Sequence, residues 1–209
     1  MQKLSIESVT SISSFPPLYV QALSGMLVSH VSHLLSVFLL YALTLDITPE
    51  KSVQRKVAFV AACLYIFSPA GLFLSAPYAE SLFSTLNLLG MLLHSRIPQQ
   101  QRLHEYGVSS FLSLLGAGAC FGLASTVRSN GVFSGLIFLY QAFILFQSRL
   151  NFRTVMTVIV IGVSGGLILL GFLGPQYLAY GEFCTGEDAR PWCSRTFPSV
   201  YTWVQSHYW

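Results

Sequence analysis

Only 9% of the 209 residues are charged, against 53% hydrophobic, whereas a soluble domain carries about a quarter charged residues. That composition excludes a water-soluble enzyme or binding module, because such a bundle lacks the polar surface to stay in solution. A net charge of +3 is too small to point to nucleic acid, and the chain belongs in a bilayer.

Residues 1–24 are mixed and rich in Ser and Pro, and read as a loop segment without a signal peptide: Lys3 is not followed by a compact apolar core and cleavage site. Crossing the hydrocarbon core takes roughly 20 apolar residues. Six stretches are candidates, at about 26–45, 57–76, 78–95, 107–126, 131–148 and 155–178. They predict an all-α, multi-pass transmembrane bundle occupying residues 25–178, followed by a tail at 179–209.

The first span carries His30 and His33 among Ser29, Ser32 and Ser36. Spacings of three and four put several of these on one helical face. A His pair at i, i+3 raises the question of a metal, but no carboxylate or cysteine in the span completes a ligand set. A polar stripe facing the bundle interior is the expectation, with no metal site.

Between the second and third spans runs SPAGLFLSAPYAES, Ser68 to Ser81, which sets two prolines and one carboxylate into membrane-grade hydrophobicity. Lipid tolerates broken backbone only where protein or a water-filled cavity covers it, and an ionisable residue there marks a candidate functional site. Two readings of Glu80 stay open. If Pro77 opens the third helix, a carboxylate in its first turn complements the helix dipole. Alternatively, Glu80 is a general base in a partly dry cavity, able to take a proton from a hydroxyl.

In the fourth span Gly118 and Gly122 form a small-xxx-small pair beside Gly116 and Ala117, which lets a neighbouring helix approach closely. Gly162, Gly165, Gly166, Gly171 and Gly174 of the sixth span carry the same packing expectation. The turn Val127-Arg128-Ser129-Asn130-Gly131 places a guanidinium close to hydrocarbon. A phosphate would reward it, since the guanidinium fork matches phosphate oxygens; an ion pair with Glu80 or snorkelling to the interface would also account for it.

Seven of the eleven basic residues fall in three alternate connections: Lys51, Arg55 and Lys56; Arg96 and Arg102; Arg149 and Arg153. By the positive-inside rule these face the cytoplasm. The break at Pro77–Glu80, the Arg128 turn and the tail then share the far side. Cys63 and Cys120 lie within spans and read as packing residues. Cys184 and Cys193, with eight residues between them in the tail, either pair as a disulfide on that oxidising side or remain free thiols. The tail's aromatics suit a membrane interface or a sugar face. Glu182, Glu187 and Asp188 are assigned no chemistry. No Walker loop, dinucleotide fingerprint, HExxH or nucleophile elbow occurs.

Several short segments together resemble the second mannosyltransferase of glycosylphosphatidylinositol (GPI) anchor assembly, in its fungal form. They are Ser68-Pro69-Ala70, Ser75-Ala76-Pro77-Tyr78-Ala79-Glu80-Ser81, Arg128-Ser129-Asn130-Gly131, Pro191-Trp192-Cys193, and the closing Tyr201, Val204-Gln205 and Tyr208-Trp209. The likeness runs from about residue 25 to the end. It implies a multi-pass endoplasmic reticulum enzyme of the GT-C class that adds the second mannose to the GPI precursor on the lumenal side. The implied donor is dolichyl-phosphate mannose, with inversion at the anomeric carbon and neither cofactor nor metal. Implied partners are that donor, the GPI precursor, the membrane and a small accessory membrane subunit.

Onto the matching positions the resemblance carries Glu80 as a catalytic or sugar-binding carboxylate, Arg128 and Asn130 at the phosphate, and Tyr78 and Tyr208 as walls of the cavity. One departure matters. The family's catalytic base is the Asp of a Trp-Asp motif in a first lumenal loop, and the only acidic residue upstream of the first span here is Glu7. The chain is therefore expected to be the central part of such an enzyme. Two readings compete with it: a non-catalytic membrane scaffold, which shares every motif, and a lipid or small-solute transporter. A transporter should show paired broken helices in equivalent halves, and the sequence holds one break without a duplicate.

Overall fold

The computed structural model describes residues 17–69, 76–97, 108–147, 151–185 and 189–194. These form six α-helices and one 3-10 helix, with no strand among the described residues, in agreement with the all-α bundle expected. In chain order the helices are α1 (Pro17–Ile47), α2 (Gln54–Ile66), α3 (Glu80–Ser95), α4 (Val108–Val127), the 3-10 helix (Ser129–Ser134), α5 (Gly135–Phe146) and α6 (Phe152–Phe183).

Four of these segments are long and apolar enough to cross a membrane: α1, α4, the 3-10 helix joined to α5, and α6. The other two are shorter. α2 has 13 residues and α3 has 16, rising about 20 and 24 Å, against a hydrocarbon thickness of ~30 Å. The second stretch, expected to run to residue 76, stops at Ile66 ahead of Pro69, because the residue before a proline is pushed out of the α region. The third starts at Glu80 rather than 78.

Both ends of the bundle also differ from the sequence reading. Residues 17–24, expected as loop, are the first two turns of α1. Pro17 supplies a φ already suited to a helix start and needs no N–H there, and the residues after it contain no breaker until Gly25. At the other end residues 179–183, expected as tail, continue α6 past Pro175 to Phe183.

The chain divides into two compact units, Met1–Thr85 and Leu86–Trp209, the division falling inside α3. In the first, α1 packs on α2. Thr44 Oγ1 donates to the Leu40 carbonyl at 2.7 Å and Thr48 Oγ1 to the Thr44 carbonyl at 2.7 Å, occupying backbone acceptors where Pro49 ends the helix.

In the second unit the principal contact is α4 on α6, and glycine makes it possible. A Cβ added at Gly118 would lie 2.8 Å from Ser164 Cα, and one at Gly122 would lie 2.6 Å from the Leu167 carbonyl oxygen. From the other side, a Cβ added at Gly171 would meet the Gly122 carbonyl oxygen at closer range still. Ser164 donates to the Leu114 carbonyl at 3.2 Å and to its own helix at Val160, 2.9 Å. The core continues through Leu114, Phe121, Phe138, Leu145, Ile161 and Ile168, with Phe121 and Phe138 edge to face at a centroid distance of 5.8 Å. Edge-to-face rings at that range are favoured by their quadrupoles.

Candidate functional site

The candidate residues fall into two groups, one in each compact unit. In the first, the backbone leaves helical geometry through Ala76–Ala79 and re-enters it at Glu80. The Tyr78 N–H donates to the Ala76 carbonyl at 2.7 Å, closing a three-residue turn. The α1 face opposite is made of small residues at spacings of four, three and four: Gly25, Ser29, Ser32 and Ser36. A Cβ at Gly25 would come within 2.9 Å of the Pro77 ring. Ser29 Oγ donates to the Ala76 carbonyl at 2.6 Å, with the Tyr78 carbonyl 3.4 Å away. Below the break Thr85 Oγ1 lies 2.9 Å from Ser36 Oγ, 2.7 Å from the Ser32 carbonyl and 3.0 Å from the Ser81 carbonyl. Ser29, Ser36 and Ser81 are buried.

Glu80 is half-buried and is the acidic residue in the first turn of α3, where the helix dipole favours negative charge. Tyr78 is 59% exposed, so it lies at the rim of the break rather than inside it. The expected polar stripe of α1 is present in part. Ser29, Ser32 and Ser36 face inward, His33 is half-buried and stacks on Tyr65 at a centroid distance of 5.2 Å, and His30 is exposed. Tyr65 Oη reaches Ser84 Oγ at 2.9 Å. Among the described residues no group of three or more His, Cys, Asp or Glu is placed to hold a metal ion.

In the second unit α4 ends at Val127 and Arg128 turns extended, φ −144° and ψ 133°. Its N–H still donates to the Ala124 carbonyl at 2.9 Å, and its carbonyl accepts from Gly131 at 2.9 Å. Gly131 is required by close approach: a Cβ there would lie 2.5 Å from the Ser125 backbone nitrogen. The turn is thus pressed against the last turn of α4, holding Arg128 half-buried and Asn130 exposed. Behind it Ser134 Oγ donates to Asn87 Oδ1 at 2.8 Å, and His94 Nε2 and Gln141 Oε1 are 3.1 Å apart. Sequence reasoning passed over Asn87, His94 and Gln141, although polar side chains inside apolar stretches are the standard signal.

Not every glycine of α6 serves close packing. Gly171 does, but Cβ atoms added at Gly162, Gly165, Gly166 or Gly174 would meet nothing within 4 Å, which corrects the packing role expected for those four. Gly162, Gly165 and Gly166 instead floor an apolar groove of about 590 Å³ between α5 and α6, which starts at Val132 and Phe133 of the 3-10 helix.

The structure therefore gathers Tyr78 and Glu80 at one break, and Arg128 and Asn130 at one turn. Cys184 and Cys193 are bonded to each other. The loop they close carries the buried Trp192 and is tied back to α6 by the Arg190 N–H on the Phe183 carbonyl at 3.3 Å. Tyr208 lies outside the described residues.

The family model for mannosyltransferase (PIG-V) matches residues 4–209. The chain belongs to this family. Relatives described as GPI mannosyltransferase 2 include one from Aspergillus oryzae, 40% identical over 193 residues, which is 90% of this chain and 44% of the relative. Others come from Gibberella zeae, 36% identical over 90% of this chain and 44% of the relative, and Candida albicans, 30% identical over 91% and 46%. The chain thus spans under half the length of these relatives. No solved structure matches.

Proposed function

We propose that this chain forms part of an α-mannosyltransferase that moves the second mannose from dolichyl-phosphate mannose to the GPI-anchor precursor in the lumen of the endoplasmic reticulum. The observation that supports it most is the match of the mannosyltransferase (PIG-V) family over residues 4–209, in a chain that keeps an acid and a guanidinium at two backbone interruptions of a membrane bundle. The acceptor hydroxyl attacks the anomeric carbon, the C–O bond to phosphate breaks, and dolichyl phosphate leaves with the electron pair. That reaction needs a base for the hydroxyl and a positive or dipolar group for the departing phosphate.

Arg128 supplies the second requirement, its fork holding two phosphate oxygens, with Asn130 hydrogen-bonding beside it. Glu80 is the carboxylate of this chain that meets the sugar, accepting hydrogen bonds or a proton from its hydroxyls. Tyr78, at the rim, and Tyr208 shape the approach. The apolar groove floored by Gly162, Gly165 and Gly166 suits the isoprenoid chain of the donor, since it offers hydrocarbon contact next to the Arg128 turn. No cofactor or metal takes part.

The test is complementation of cells lacking the second GPI mannosyltransferase, with the chain expressed alone and within the full length of a relative. Restored surface GPI proteins, lost in Glu80→Gln and Arg128→Ala, support the assignment. A stable, correctly located protein that never restores transfer in either form contradicts it and favours a non-catalytic scaffold.

A further inference from the structure

Within a bilayer each bare backbone polar group costs several kcal/mol, so the non-helical stretch before Glu80 needs partners for its carbonyls. The Ala76 carbonyl has two, the Tyr78 N–H at 2.7 Å and the Ser29 hydroxyl at 2.6 Å. Only the second reaches it from another helix. Ser29 is 2% exposed, and 47 residues separate it from Ala76. Gly25, one turn earlier on the same face, leaves room for the Pro77 ring, which a Cβ would meet at 2.9 Å. One turn into α3, Thr85 joins the helix to α1 separately, through the Ser32 carbonyl and the Ser36 hydroxyl. Ser32 is as deeply buried as Ser29, at 5% exposed, yet it serves this lattice through its backbone carbonyl. Among the described residues the Ser29 hydroxyl thus bonds the break from α1, while that of Ser32, on the same seam, has no bond to it.

We propose that Ser29 is a positioning residue: its hydroxyl straps the Ala76 carbonyl to α1, setting where α3 begins and hence where Glu80 stands. The consequence for transfer rests on the reading of Glu80 as the sugar-facing carboxylate; the strap itself does not. Ser29 is buried and acts through the Ala76 carbonyl rather than on a substrate. Its loss should therefore slow the chemical step more than it weakens substrate affinity, because small misplacements of a reacting group act mainly on the transition state.

The experiment uses the full chain in microsomal membranes, with Ala79→Cys placed in the break and its maleimide labelling rate read by peptide mass. Ser29→Ala is compared with Ser32→Ala, which deletes a hydroxyl of similar burial without touching the strap. Gly25→Ala is the second route, displacing Pro77 by contact rather than by loss of a bond, and it serves if Ser29→Ala fails to accumulate. Labelling should rise about fivefold in Ser29→Ala, change by at least twofold in Gly25→Ala, and stay at the parent rate in Ser32→Ala. Parent rates in both Ser29→Ala and Gly25→Ala, or an equal rise in Ser32→Ala, overturn the strap.

A mannosyl-transfer assay on the same membranes separates the two claims. In Ser29→Ala kcat should fall about tenfold with KM changed less than twofold, and Ser32→Ala should match the parent. If labelling responds while the parent shows no transfer, the strap stands and the transferase reading falls. If the parent transfers mannose and Ser29→Ala labels faster without loss of kcat, the positioning role is refuted.

Discussion

Arg128 and Gly131 share one tight turn, whose shape comes from the glycine and whose proposed phosphate contact comes from the guanidinium. Gly131 lets the chain lie against the Ser125 backbone at a distance no Cβ tolerates, and this pins Arg128 in extended geometry at the end of α4. Gly131→Ala must push the turn away from helix backbone that cannot yield, at a cost of about 1–3 kcal/mol; a lowered thermal midpoint in detergent checks it. Arg128→Lys keeps the charge and loses the fork. Giving up one charge-assisted hydrogen bond costs about 1.5–3 kcal/mol, so transfer should drop roughly tenfold to a hundredfold. Full activity in Arg128→Lys would remove the forked phosphate contact.

Among the helices, the two sets of glycines make opposite predictions. Gly122→Ala sets a methyl against the Leu167 carbonyl at 2.6 Å, forcing α4 and α6 apart, so it should reduce the amount of folded protein recovered from membranes. Gly165→Leu projects into the open groove. It should leave folding intact and lower transfer with a long-chain polyprenyl donor more than with a short-chain one. Equal loss with both donors would show that the groove does not hold the isoprenoid chain. The sequence made the α4 pairing legible, because Gly118 and Gly122 stand one turn apart on an apolar helix. It could not separate the α6 glycines that pack from those that stay open. Which face of a long apolar helix meets a neighbour is decided by tertiary contacts, and in lipid both faces are equally hydrophobic.

At the level of the whole chain, composition alone placed the protein in a membrane; prolines located the interruption that bears Glu80, and the polar run Arg128-Ser129-Asn130-Gly131 located the second turn. The helix ends were less visible. Apolar residues after Ile66 do not announce that α2 has stopped, and residues 17–24 looked like loop because Ser and Pro precede them. The site's supports were legible only as types. Ser29 stood out as a polar residue in an apolar helix, but its partner, a carbonyl 47 residues away, is a product of folding. Asn87 and Gln141 were readable by the same criterion and join their partners only in three dimensions.

We propose that the Glu80 break and the Arg128 turn both open on the lumenal side of the membrane, the orientation that the spread of basic residues favours. Sealed microsomes carrying single cysteines at Ala79 and at Asn130 measure this directly with a membrane-impermeant maleimide. Both positions should stay unlabelled until the vesicles are permeabilised and then label together. Labelling of either one in intact vesicles would put it on the cytosolic face and contradict the account.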